Sequence, residues 1–278
     1  MGVVSRWVLT INFNSNYHPY HLLKEGIYHM NKTWKPRILV GTSGFSYDHW
    51  RGLFYPEELA KAKWLEFYAT HFSTVELNNP FYRLPSEDAF TRWRDSSPDD
   101  FVFALKVSRF ITHIRRLKNS GEAVGTFITR ARILGEKLGP LLYQLPPSMH
   151  RNDEVLASFL SHLPQGLRHV VEFRHPSWIE DEAFQILRKY NTGLCIFDMP
   201  DFTCPVVATA DFAYVRFHGS TALYSSRYTD KELADWADKL ASLAANLKEI
   251  YIYFNNDVGG FAIDNARTIS GYLQTSKV

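Results

Sequence analysis

From Arg37 onward, short apolar runs alternate with segments of helical character. The runs fall at residues 38–42, 74–77, 101–106, 140–145, 169–173, 193–197, 212–217 and 250–254. Most are apolar almost throughout instead of alternating with polar residues. That pattern marks strands buried on both faces of a parallel sheet. Between them lie stretches that read as helices, at 61–71, 121–138, 153–163, 181–190, 230–247 and 264–273. A further helix follows Ser86, which can cap it while Glu87 and Asp88 complement the dipole of its first turn.

Strands alternating with helices make βαβ units, and eight of them match the closure of a (β/α)8 TIM-type barrel. The chain has 278 residues, ample for such a barrel as a single domain spanning residues 37–278. Residues 199–211 hold Pro200 and Pro205 and read as irregular chain where a helix is due. An open doubly wound sheet is the alternative, but it lacks its glycine fingerprint: Gly41-Thr42-Ser43-Gly44 has the wrong spacing.

Residues 1–36 follow neither period and read as an irregular N-terminal extension. Met30 stands just ahead of the first strand, so the first 29 residues have the character of a mis-assigned start. The apolar run 7–11 is too short for a signal peptide or a membrane span. Two cysteines, Cys195 and Cys204, exclude a disulfide framework and fit a reducing, cytoplasmic setting. A net charge of +2 provides no global field toward nucleic acid or membrane, so any anion must be held by a local cluster.

In a TIM-type barrel the chemistry sits at the C-terminal strand ends. Those ends carry Ser43, Glu76, Asn78, Lys106, Gln144, Glu172, Arg174, Asp198, Arg216, His218, Asn255, Asn256 and Asp257. Glu76/Asn78, Glu172/Arg174 and Arg216/His218 are spaced two apart, so each pair shares one side of its strand. Three acids thus face three bases, with His218 able to switch. The bland reading is a plug of structural ion pairs, since such networks also perturb charges. The functional reading makes Glu76, Glu172, His218 and Asp198 catalytic and gives Asn78, Lys106, Gln144, Arg174, Arg216, Asn255 and Asn256 to the substrate.

Two loops enlarge the mouth. Arg109, His113, Arg115, Arg116 and Lys118 place a basic rim after the third strand, although charge runs are often simply solvated. Gly259 and Gly260 precede the last helix, where barrels often hold a phosphate; a tight turn is the plainer reading. Aromatic residues also gather after the strands. Of these, Trp50, Tyr82 and Trp178 are expected to face a ligand.

Ordered blocks along the chain resemble a known family. They include Gly41-Thr42-Ser43-Gly44-Phe45, Thr74-Val75-Glu76-Leu77-Asn78 and Gln144-Leu145-Pro146-Pro147. Val171-Glu172-Phe173-Arg174-His175-Pro176-Ser177-Trp178, Tyr214-Val215-Arg216-Phe217-His218-Gly219 and Tyr253-Phe254-Asn255-Asn256-Asp257 continue the series. Together they resemble the YecE-like family, domain of unknown function 72, over roughly residues 38–270. The resemblance implies a TIM-barrel fold and supplies no reaction.

The residues themselves point to an enzyme on an anionic, phosphate-bearing substrate of small-molecule or nucleotide type, with phosphoester hydrolysis as the reaction. Lys106, Arg174 and Arg216 would hold the anion, Glu172 or Glu76 would act as base and His218 as acid. A divalent metal could be held by Glu76, Glu172, Asp198 and His218, although three cations nearby already supply positive charge. A glycoside hydrolase using Glu76 and Glu172 is the second reading. A nucleic-acid- or partner-binding module using the basic rim is the third.

Overall fold

The structure, a computed structural model, describes residues 36–275. The N-terminal extension expected at residues 1–36 lies, but for its last residue, outside them. Eight parallel strands run β1 (Arg37–Thr42), β2 (Thr74–Leu77), β3 (Val102–Lys106), β4 (Leu138–Gln144), β5 (His169–Glu172), β6 (Gly193–Met199), β8 (Phe212–Phe217) and β9 (Glu249–Phe254). The two-residue β7 (Phe202–Thr203) folds back antiparallel on the end of β6. Neighbours follow the order β1-β9-β8-β6-β5-β4-β3-β2. The ring closes where β1 meets β2 through an isolated parallel bridge between Ser43 and Glu76. This is a TIM-type α/β barrel.

Outside the strands lie α1 (Trp64–Ala69), α2 (Asn79–Tyr82), α3 (Glu87–Asp95), α4 (Gly121–Ala131), α5 (Asp153–Ser161), α6 (Asp181–Lys189), α7 (Asp230–Leu243) and α8 (Phe261–Thr275). The helix expected after Ser86 forms, and the Ser86 hydroxyl accepts from the Ala89 amide at 3.3 Å. The segment 199–211 holds no helix among the described residues. Among the boundaries that differ from the sequence expectation, two fall at glycines. Helix α4 stops at Ala131 and a 3-10 turn with Gly135 at φ +58° lets β4 begin at Leu138. Helix α8 begins at Phe261, immediately after the Gly259-Gly260 turn.

Two apolar layers hold the barrel. Leu39, Val102, Ala104, Leu142, Val170, Cys195, Phe212, Tyr214, Tyr251 and Tyr253 fill its interior. A larger shell packs the outer strand faces against the helices. The strands are buried on both sides, which is why they read as unbroken apolar runs.

Candidate functional site

The interior layer is capped at the strand ends by a buried charged network centred on Arg216, near the end of β8. Its side chain is 1% exposed. One terminal nitrogen donates to Glu172 Oε2 at 2.7 Å and the other to Glu76 Oε1 at 2.8 Å. A single guanidinium therefore ties β2 to β5 across the barrel. Glu76 also accepts from the Ser43 hydroxyl and from Tyr214 at 2.5 Å. Glu172 takes four donors: Arg216, the Arg174 Nε, Gln144 Nε2 at 2.9 Å and the Cys195 thiol at 3.7 Å. Burial by itself would raise the Glu172 pKa. The adjacent Arg174 and Arg216 outweigh burial and hold it well below the usual carboxylate range.

His218 completes the outer side. Burial, reinforced by Arg216 and Arg174, pushes its pKa well below the ordinary value, so the ring is neutral. An Arg174 terminal nitrogen lies 2.9 Å from its Nε2. A guanidinium can only donate, so Nε2 accepts and the ring proton sits on Nδ1. The Asn255 Nδ2 lies 3.1 Å from Nδ1; because that ring nitrogen carries the proton, the amide must be turned over to present its oxygen there. The third Arg174 nitrogen meets the Met199 sulfur at 3.0 Å.

Two carboxylates thus meet two guanidiniums, and the charge left over is that of Lys106. No acid pairs with Lys106 among the described residues. Its ammonium sits 4.1 Å from the centre of the Phe81 ring, a favourable cation–π position. Burial, with Arg216 next, lowers its pKa to about 8. Asn78 donates to the Ser43 hydroxyl at 2.8 Å, and its own carbonyl oxygen is buried without a partner.

Several expected site residues sit elsewhere. Trp50 and Trp178 are fully buried, which overturns their expected exposure to ligand. The Trp50 indole donates to the Asp257 carbonyl at 3.1 Å, and that of Trp178 to the Met149 carbonyl at 2.7 Å. Trp178 also stacks on Phe173. They brace loops. Tyr82 is 72% exposed on the rim. Asp198 stands apart from the network: Tyr228 donates to its backbone carbonyl at 3.4 Å, and burial raises the pKa of its carboxyl. Asn256 is fully buried and donates to the Ser226 carbonyl and to Asn265, so it fastens the β9 end to the β8–α7 segment. Gly259 and Gly260 both have positive φ, +69° and +75°, and form the tight turn that starts α8. Among the described residues no group of three or more His, Cys, Asp or Glu side chains is placed to hold a metal ion. Glu76 and Glu172 turn toward Arg216 instead.

The network also contains residues that reading only strand ends overlooks. Tyr214 lies two before Arg216, so the same period-two rule would have found it. Cys195 lies in the middle of β6 and carries no end-of-strand signal. Phe81 is legible in the sequence as an aromatic, but its place beside Lys106 is not.

The family profile described as "Protein of unknown function DUF72" matches residues 39–278. The chain belongs to the DUF72 family. It is 26% identical to the UPF0759 protein YunF of Bacillus subtilis (strain 168), over 83% of this chain and 92% of that one. Against the UPF0759 protein YecE of Escherichia coli (strain K12) it is 37% identical over 115 residues, 41% of this chain and 42% of YecE. The crystal structure of a DUF72 protein from Thermotoga maritima superposes with a TM-score of 0.78 at 31% identity, covering 86% of this chain and 99% of that one. No helix among the described residues is long and apolar enough to cross a membrane.

Proposed function

We propose that this DUF72 protein is an enzyme acting on an anionic, phosphate-bearing substrate at the barrel mouth, with Lys106 as the group that receives the phosphate. The observation that carries the reading is the contrast among the three cations. All three nitrogens of Arg174 and both terminal nitrogens of Arg216 are committed to Glu172, Glu76, His218 and Met199, and the charge of each guanidinium is met by a carboxylate, the Arg216 Nε alone being buried without a partner. Lys106 has no such partner and sits buried, only 9% exposed, at the end of β3, where an oxyanion would complete it.

Phosphoester hydrolysis is the reaction class that fits. A lysine titrating near pH 8 offers positive charge to a phosphoryl oxygen and a proton to a leaving oxygen. The roles first given to Glu172 and His218 do not suit their surroundings. A carboxylate with four donors is a weak base, and the neutral His218 holds its proton on the side facing Asn255. Glycoside hydrolysis needs one carboxyl that retains a proton. Glu172, held ionised by two arginines, is not that carboxyl. Cys195 and Cys204 are both free thiols, in keeping with a reducing cytoplasm.

The test is a panel of phosphomonoesters, phosphodiesters and aryl glycosides with wild type and Lys106→Met. The reading expects turnover or competitive binding within the phosphate esters, lost on Lys106→Met and partly kept by Lys106→Arg. Phosphate-ester turnover unchanged in Lys106→Met, or activity confined to glycosides, would overturn it.

A further inference from the structure

Every large apolar side chain exposed among the described residues lies between a strand's C-terminal end and the last helix before the next strand, from Leu53 after β1 to Val258 after β9. The mouth face of the barrel is thus its apolar face. One sector of that face is also strongly basic. Residues 78–86 after β2 and 107–120 after β3 contain no Asp or Glu, yet they carry Arg83, Arg109, Arg115, Arg116 and Lys118. None of the five forms a salt bridge among the described residues, whereas most of the rim's other arginines and lysines do. With a net charge of only +2 for the whole chain, this is a local concentration and not a general excess.

The sector is built, not merely solvated. Arg116, Leu117 and Asn119 all have positive φ, +48°, +68° and +48°, and the Leu117 side chain is buried as an anchor. Such conformations in non-glycine residues persist only where the surroundings hold them. Arg115 lies over the Phe110 ring, and Arg116 donates to Ser148 at 3.2 Å. Tyr82, Phe110 and Ile114 are 72%, 40% and 63% exposed. The sector continues down to the site: Phe81 touches Tyr82, His113 and the ammonium of Lys106.

We infer that this β2–β3 sector of the rim docks a single-stranded nucleic acid and leads its phosphodiester chain toward Lys106. Unpaired arginines supply backbone contacts that do not depend on sequence. Exposed Tyr82 and Phe110 supply faces on which unpaired bases stack, and a duplex hides those base faces. An acidic peptide would satisfy the arginines but leave the rings without a matching partner. The inference rests on the phosphate-ester reading only for what happens at Lys106; the docking stands on the rim alone.

The experiment measures fluorescence anisotropy of an end-labelled single strand of about 12 nucleotides, a length within the usual site size, titrated with the full chain at several salt concentrations. Affinity should fall with salt, with a log–log slope of about −0.7 for each phosphate engaged. The triple variant Arg109→Ala/Arg115→Ala/Arg116→Ala should make that slope shallower by about 2. Tyr82→Ala should weaken binding about tenfold with the slope unchanged. All four side chains are on the surface, so an unchanged melting temperature certifies the variants. Equal affinity for a duplex of the same sequence, full displacement by polyglutamate at equal charge, or a triple variant that binds like wild type would each overturn the inference. Lys106→Met separates the two proposals. Strand binding that survives it, with phosphate protection lost, upholds both. Strand binding absent from wild type, while phosphate still protects through Lys106, removes the rim inference and leaves the site reading standing.

Discussion

Ser43 and Glu76 join β1 to β2 twice: their backbones form the bridge that closes the ring, and the Ser43 hydroxyl donates to the Glu76 carboxylate. The seam of the barrel and the edge of its charged network are therefore the same pair of residues. Glu76 in turn is held by Arg216 from β8, so closure of the fold and arrangement of the site depend on one another. A defect in the network should be felt as a loss of stability before it is felt as a loss of chemistry.

Glu172→Gln is the direct probe of that coupling. It leaves Arg174 and Arg216 with one carboxylate between them in a buried setting, and should cost about 3–5 kcal/mol. Urea denaturation of wild type and variant, fitted with a common slope, measures it. A loss below about 1 kcal/mol, the scale of an exposed pair, would show that water or rearrangement compensates the arginines.

Acid should destabilise the fold in two stages. The folded pKa of His218 lies well below its ordinary 6.5, so below that pH the unfolded chain takes up a proton that the folded chain refuses. Stability then falls as pH drops. Glu172 acts in the same direction at lower pH: its contribution is fully present above the ordinary 4.5 and is lost as pH falls below it. Denaturation midpoints measured from pH 8 to pH 4 should decline first near pH 6.5, and His218→Gln should remove that first limb alone.

Lys106 predicts a slope of the same sign in alkali. Its folded pKa of about 8 lies below the ordinary 10.5, so between these values only the unfolded chain holds the proton. Wild-type stability gains from Lys106 as pH rises through this window. Lys106→Met should stabilise the protein at neutral pH, by about 1–3 kcal/mol, because it removes a desolvated, unpaired cation. Thermal protection by inorganic phosphate should fade above about pH 8 in wild type and persist to higher pH in Lys106→Arg. Protection that ignores both pH and the substitution would place the anion elsewhere.

Trp178 separates bracing from ligand contact. Trp178→Phe keeps the stack on Phe173 but leaves the Met149 carbonyl without its donor. The expected loss is about 1–3 kcal/mol of stability, with ligand affinity unchanged once the protein is folded. A large change in affinity at unchanged stability would return Trp178 to the binding surface.

The sequence by itself determined the barrel and most members of its charged network. Runs of apolar residues can tolerate burial on both faces only in a parallel sheet covered by helices, and period two places Glu172 with Arg174 and Arg216 with His218 on one side of each strand. It could not determine which charges would cancel. Pairing depends on distances between strands far apart in the chain, such as β2, β5 and β8, and only closure of the ring brought Glu76 and Glu172 onto the same guanidinium. That geometry consumed the two arginines, left Lys106 as the cation in need of a partner, and set the protonation of His218. Exposure was likewise a tertiary outcome. Trp50, Trp178 and Tyr82 are equally aromatic in the sequence, but backbone carbonyls from distant loops drew two of them inside and left the third on the rim.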